Sequence, residues 1–223
     1  MPSVHSCIRL KRSNGGFTLI ELMIAVAVSA IVLMAVVQFF ISTNRTSTVL
    51  EKTAATQQTI RMVMEMISRD LRLAGLNPTG NAACAGFTDF REGTGDTSIA
   101  LAYDYYDAGG NPNSSGDCSN NRENLCYAFD QGNGRIMLRW SNDGGNNWHS
   151  YSMTEEGIIE SLNFEYFESI EKLENDEPIA DPAGSLDDIR VVRITICGTI
   201  TGAYSEDLKN PYCFSGTIRP RNL

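Results

Sequence analysis

The polarity pattern changes period along the chain. From Phe17 to Ile41 the residues are almost all apolar and Glu21 carries the only charge. Roughly 20 apolar residues suffice to cross a bilayer as a helix, so this run predicts a membrane helix. Polar residues follow from Ser42, yet no proline or glycine interrupts Phe17 to Ala74, and Gly75 with Pro78 then supplies a stop signal. One long helix is predicted. In its outer half Ile60, Met64, Ile67, Leu71 and Ala74 recur at spacings of four and three, an apolar stripe, while Arg61, Glu65, Arg69 and Arg72 fall on the opposite face. The heptads are too few for a coiled coil, so the stripe is expected to pack on the chain's own globular domain.

Past residue 78 the helical period ends and short β runs begin: "SIALAYDYY", "NLCYAF", "GRIMLRW", "NWHSYSM", "SLNFEYFE", "IRVVRITICGTI" and "SGTIRP". The turn sequences "QGNG" (131–134) and "NDGG" (142–145) make 125–152 a meander. "IRVVRITI" offers Ile189, Val191 or Val192, Ile194 and Ile196 for burial, the pattern of a central strand covered by the long helix. The predicted class is α+β, a long N-terminal helix packed on one antiparallel β-sheet domain. The stretches 104–124 and 169–188, rich in Asn, Asp, Gly, Ser and Pro, read as exposed loops.

Charge adds an orientation. Arg9, Lys11 and Arg12 precede the apolar run with no acid among the first 16 residues, so this end is expected to stay cytoplasmic and everything after about residue 42 to be exported. Removing those three positives from the net charge of −9 leaves −9 − 3 = −12 for the rest, without a basic patch. Nucleic acid is not an expected partner of such a surface. Of the six cysteines, Cys84, Cys118, Cys126, Cys197 and Cys213 fall on the exported side, where disulfides persist. Ranking pairs by loop length favours Cys118 with Cys126 and Cys197 with Cys213, leaving Cys84 as the odd residue.

The start of the chain is not built like a secretory signal, in which a small-residue cleavage site follows the apolar core. Here Gly15 and Gly16 precede it. "RSNGGFTLIELMIAV" resembles the class III signal of type IV prepilins and pseudopilins. The resemblance implies that a prepilin peptidase cuts between Gly16 and Phe17 and methylates the new amino terminus of Phe17. Residues 1–16 would be a cytoplasmic leader, 17–41 the transmembrane and assembly helix, 42–75 its amphipathic continuation and 79–223 the exported β domain. Glu21 would meet the Phe17 ammonium of an adjacent subunit, because each charge is costly alone in apolar surroundings. A carboxylate snorkelling to the nearby membrane surface is the alternative.

"QQTIRMVMEMISRDLRLAGLNP" is similar to the region after the membrane helix in PilW-type minor pilins, which resemble the J-type minor pseudopilins of type II secretion. "IIESLNFEYFE" and "DDIRVVRITICGTI" agree with it. Major pilins usually carry a Gly or Pro kink where Ala30 and Gln38 stand, which favours a minor subunit. The resemblance implies a structural protein of the inner membrane and then of the pilus surface, one that primes assembly or sits at the tip. Its partners would be the prepilin peptidase, other major and minor pilins, the inner-membrane assembly platform and, before assembly, lipid. The alternatives are a J-type pseudopilin of a type II secretion system and, in another class, an exported enzyme or binding protein using the helix as an anchor.

Catalytic material is sparse. His149 is the one histidine after the apolar run, and no G-x-S-x-G, P-loop or C-x-x-C motif occurs. His149 is expected to be a solvated strand residue. "SNDGGNNW" (Ser141 to Trp148) fits an Asp-box turn, in which Asp143 accepts backbone bonds and Trp148 packs beneath the loop. The Asp-rich loops "DYYDAGGNPNSSGD" and "NDEPIADP" match no defensible calcium spacing. No enzyme activity, metal or cofactor is expected.

Overall fold

The computed structural model describes residues 16–77, 86–88, 93–105, 118, 123–141, 147–199 and 211–223. The chain divides into two compact units, residues 1–48 and 49–223. Helix α1, Leu19–Leu73, is continuous over 55 residues. In the first unit every described residue is exposed, including Phe17, Leu19 and Phe39 at 85%, 80% and 74%. Several hydroxyls there are served locally: Ser29 Oγ donates to the Ala25 carbonyl at 2.7 Å and Thr43 Oγ1 to that of Phe39 at 2.9 Å. The helix is long and apolar enough to cross a membrane.

In the second unit the predicted stripe is the buried face. Ile60, Ile67, Leu71 and Ala74 are fully buried, Met64 nearly so, and Val63 joins them. They share one core with two antiparallel sheets. The five-stranded sheet runs in the order β1 (Phe87–Thr88), β2 (Ser98–Ala102), β3 (Asn124–Asp130), β4 (Arg135–Ser141), β5 (Trp148–Ser152). The second has β7 (Val191–Gly198) between β6 (Ile159–Phe167) and β8 (Tyr212–Ile218).

Two sheets replace the single one expected. The reason lies in what β6 meets: Phe164 N–H donates to the Asp96 carbonyl and Ile159 N–H to that of Gly134, so β6 abuts a loop and a turn of the first sheet, where strand pairing cannot propagate. The Tyr166 hydroxyl adds a bond to the Gly95 carbonyl at 2.9 Å. Gly134 allows this approach, since it has φ +57° and a Cβ there would stand 2.9 Å from the Ile159 oxygen. In β7, Val192, Ile194 and Ile196 face the core. The stretch 169–188, expected as an exposed loop, contains helix α2 (Ile170–Glu174) capped by Ser169 and a 3₁₀ turn (Leu186–Asp188). Of 104–124, Asp104 and Glu123 are buried rather than exposed.

The end of α1 is fastened by the last residues. Gly75 takes φ +75°, its N–H donates to the Ala102 carbonyl at 3.1 Å, and Leu223 packs where a Cβ would lie. Asn222 Nδ2 donates to the Arg72 carbonyl at 3.3 Å, serving one of the oxygens the last helical turn leaves unpaired.

Cys197 and Cys213 face each other across β7 and β8 and are bridged, with Cα atoms 4.0 Å apart. The expected Cys118–Cys126 bridge does not form. Cys118 is disulfide-bonded, whereas Cys126 retains a buried thiol. Ranking by loop length treats Cys126 as part of a connection, but β3 begins at Asn124 and holds Cys126 between Ala100 of β2 and Arg139 of β4. Its side chain lies in a small cluster with Ala100, Ala128 and Trp148. Cys84, expected to be the odd cysteine, lies outside the described residues, as does Asp143 of the Asp-box turn.

Candidate functional site

The residues that the sequence singles out at the start of the helix lie on three consecutive features. Gly16 and Phe17 are exposed and precede α1. A Cβ added at Gly16 would meet no atom of the described residues within 4 Å, so their packing places no demand for glycine there. Thr18 then starts the helix. Its carbonyl accepts the first helical bond, from Leu22 N–H at 3.2 Å, and its Oγ1 accepts from Glu21 N–H at 3.3 Å. This is the N-cap half of a T-x-x-E capping box, with Glu21 at the third helical position. A carboxylate there also meets the positive end of the helix dipole.

The Thr18–Glu21 spacing is the sequence signal for this cap, which engages the backbone N–H of Glu21. Leu19, Ile20, Leu22, Met23 and Ile24 around it are all more than half exposed, so the carboxylate stands on a wholly apolar, uncovered segment.

Residues 11–37 match a family described as the prokaryotic N-terminal methylation motif. Residues 50–209, most of the second unit, match the family described as prepilin peptidase-dependent protein B. The chain belongs to that family. It is type IV pilin-like, and the conjunction of methylation motif, apolar helix and α+β domain is what the pilin resemblance implies. Pilin-like protein PilA3 of Thermus thermophilus is 37% identical over 60 residues, 27% of this chain and 26% of that protein. The match therefore spans about a quarter of that relative's length. No solved structure matches.

The remaining candidates fall elsewhere. His149 is exposed on β5 and stacks on Trp140, ring centroids 5.5 Å apart. Among the described residues no three His, Cys, Asp or Glu side chains converge as a metal site. The family points to structural proteins of the pilin type.

Among the buried polar groups that the sequence did not disclose is Asp70. It lies on the buried side of α1 and is 3% exposed. Arg69 Nε donates to its Oδ1 at 3.0 Å, and the Tyr127 hydroxyl of β3 donates to Oδ2. Burial, then the Asp70 charge beside it, holds the Tyr127 phenol well above its usual range. The group anchors α1 to β3.

Proposed function

We propose that the protein is a minor pilin, anchored in the inner membrane by residues 17–41 with its β domain exported, then packed by the same helix into a type IV pilus where it primes assembly or caps the tip. Prepilin peptidase cuts between Gly16 and Phe17 and methylates Phe17. Glu21 accepts the Phe17 ammonium of the adjacent subunit. The observation that carries this reading is the uncovered apolar helix with one carboxylate, preceded by a glycine that the packing of the described residues does not require. An apolar face of that length needs lipid and then other helices to cover it. Other pilins and the assembly platform are the partners.

The test is intact mass of the membrane-extracted chain together with fractionation of sheared surface fibres. N-methylated Phe17 as first residue, and recovery in fibres, are expected. An uncut chain in cells with active prepilin peptidase would sink the reading, and a processed chain found solely with a secretion apparatus would replace the pilus by a periplasmic pseudopilus.

A further inference from the structure

Strand β5 is an edge of the five-stranded sheet, and its own residues supply none of the lysines, prolines or bulges that usually blunt an edge. Its residues are Trp148, His149, Ser150, Tyr151 and Ser152, with no lysine or proline. Its register with β4 runs through all five pairs without a bulge. The bonding phase follows from the neighbouring pair, since Met153 N–H donates to the Ile136 carbonyl at 2.9 Å. Bonded pairs alternate in an antiparallel ladder, so Tyr151 and His149 turn their backbone groups to β4. Ser150 and Ser152 turn theirs outward, where no described residue meets them. His149, Ser150 and Tyr151 are all exposed.

The same edge borders an apolar groove. Leu138, Trp140, Tyr151 and Met153 line it on the sheet side and Met62 and Met66 on α1, around about 350 Å³. Tyr151 and Met62 are 62% and 54% exposed. The lining has no charged side chain, in a chain of net charge −9.

We propose that β5 is a docking edge, to which an extended, uncharged segment of a neighbouring subunit adds as a sixth strand, laying apolar side chains in the Met62–Tyr151 groove. The partner's source rests on the assembly reading above; its chemistry rests on the edge. A row of outward N–H and C=O groups is matched by another extended backbone, whereas a helix has used its own and lipid tails have none. The groove selects apolar side chains, since a charged one would lose its water without gaining a partner, and methionine walls adapt to varied shapes.

The outward phase of Ser150 gives a selective test in the full-length chain. Ser150→Pro removes an outward N–H and leaves the ladder to β4 intact, as edge prolines do. Processing, membrane insertion and protease resistance should match wild type, while recovery in sheared fibres falls about tenfold or more, a lost buried bond plus steric block. Ser150→Ala should behave as wild type. If Ser150→Pro loses protease resistance, Ser150→Lys keeps the backbone donor and should still be excluded from fibres. A photo-cross-linking residue at Tyr151 should link, in fibres, to a second chain bearing a prepilin motif. Normal incorporation of a folded Ser150→Pro or Ser150→Lys, or absence of that adduct from fibres that contain the protein, overturns the docking edge. Wild-type protein missing from fibres overturns the assembly reading instead.

Discussion

The Tyr127 hydroxyl donates to Asp70 Oδ2 at 2.5 Å, joining the middle of β3 to the last turns of α1 across 57 positions of sequence. Both groups are buried, so removing the hydroxyl leaves Asp70 Oδ2 without this bond while Arg69 still serves Oδ1. Tyr127→Phe should therefore destabilise the chain by about 1 to 3 kcal/mol, read from denaturant unfolding. Adding Asp70→Leu should cost less than the sum of the two single changes, because both remove the same buried bond.

The same pair sets an alkaline limit. The Tyr127 phenol is raised well above its ordinary value of 10.0, first by burial and then by Asp70. A raised folded value means that its contribution is fully present below the unfolded value and is lost as pH rises beyond about 10, where the unfolded chain ionises and the folded one does not. Tyr166 is raised too, again mainly by burial, so Tyr127→Phe should flatten the fall in melting temperature above about pH 10 without abolishing it. An identical slope in the variant would show that Tyr127 does not titrate against folding.

What the sequence disclosed and what it hid divide by range. The stripe of Ile60, Met64, Ile67, Leu71 and Ala74 is a local periodicity, and all five residues are buried. Asp70 sits beside Arg69 and reads locally as part of the charged face; its partner Tyr127 is brought to it by the fold alone. Cys126 shows the same limit. Loop length favours a bridge to Cys118, but β2 and β4, supplied from either side in sequence, fix Cys126 inside the sheet. The cap that Thr18 provides for Glu21 has a signal in the sequence, because a capping box is a four-residue device.

The cysteine arrangement predicts a thiol count. The proposed processing at Gly16 would leave Cys84, Cys118, Cys126, Cys197 and Cys213 in the mature chain. Unfolded but unreduced protein should react with one equivalent of alkylating reagent, at Cys126, and the native protein far more slowly because that thiol is buried. Peptide mapping should recover Cys197 joined to Cys213. Label on Cys118 would contradict its disulfide, and none on Cys126 would contradict the thiol held within the sheet.

Gly198 tests the contact between α1 and β7. A Cβ there would stand 2.6 Å from Ile60 Cδ1 and 3.1 Å from both the Ile158 oxygen and Thr56 Cγ2. Gly198→Ala should destabilise by roughly 1 to 3 kcal/mol through overpacking. Ile60→Val removes the nearest atom and alone costs about 0.5 to 1.5 kcal/mol. The double variant should be more stable than the sum of the singles implies, and strict additivity in thermal unfolding would show that the strain is relieved elsewhere.

Two substitutions at Glu21 separate a local role at the helix start from a contact between subunits. Near the positive end of the helix a carboxylate contributes about 0.3 to 1 kcal/mol, and glutamine keeps its shape without the charge. As the partner of a neighbour's Phe17 ammonium it must be ionised, and removing one member of a buried pair costs roughly 3 to 5 kcal/mol. Glu21→Gln and Glu21→Ala should both enter the membrane at least as well as wild type, since a charge inside an apolar helix costs roughly 2.5 to 3.5 kcal/mol on insertion scales. Intact mass should show both processed at Gly16. Neither should be recovered in sheared fibres, because the ammonium would enter the packed helices alone. If Glu21→Gln assembles normally while Glu21→Ala does not, hydrogen bonding at the helix start suffices and the charge pair is wrong. If both assemble, the carboxylate is no assembly contact and snorkels to the membrane surface.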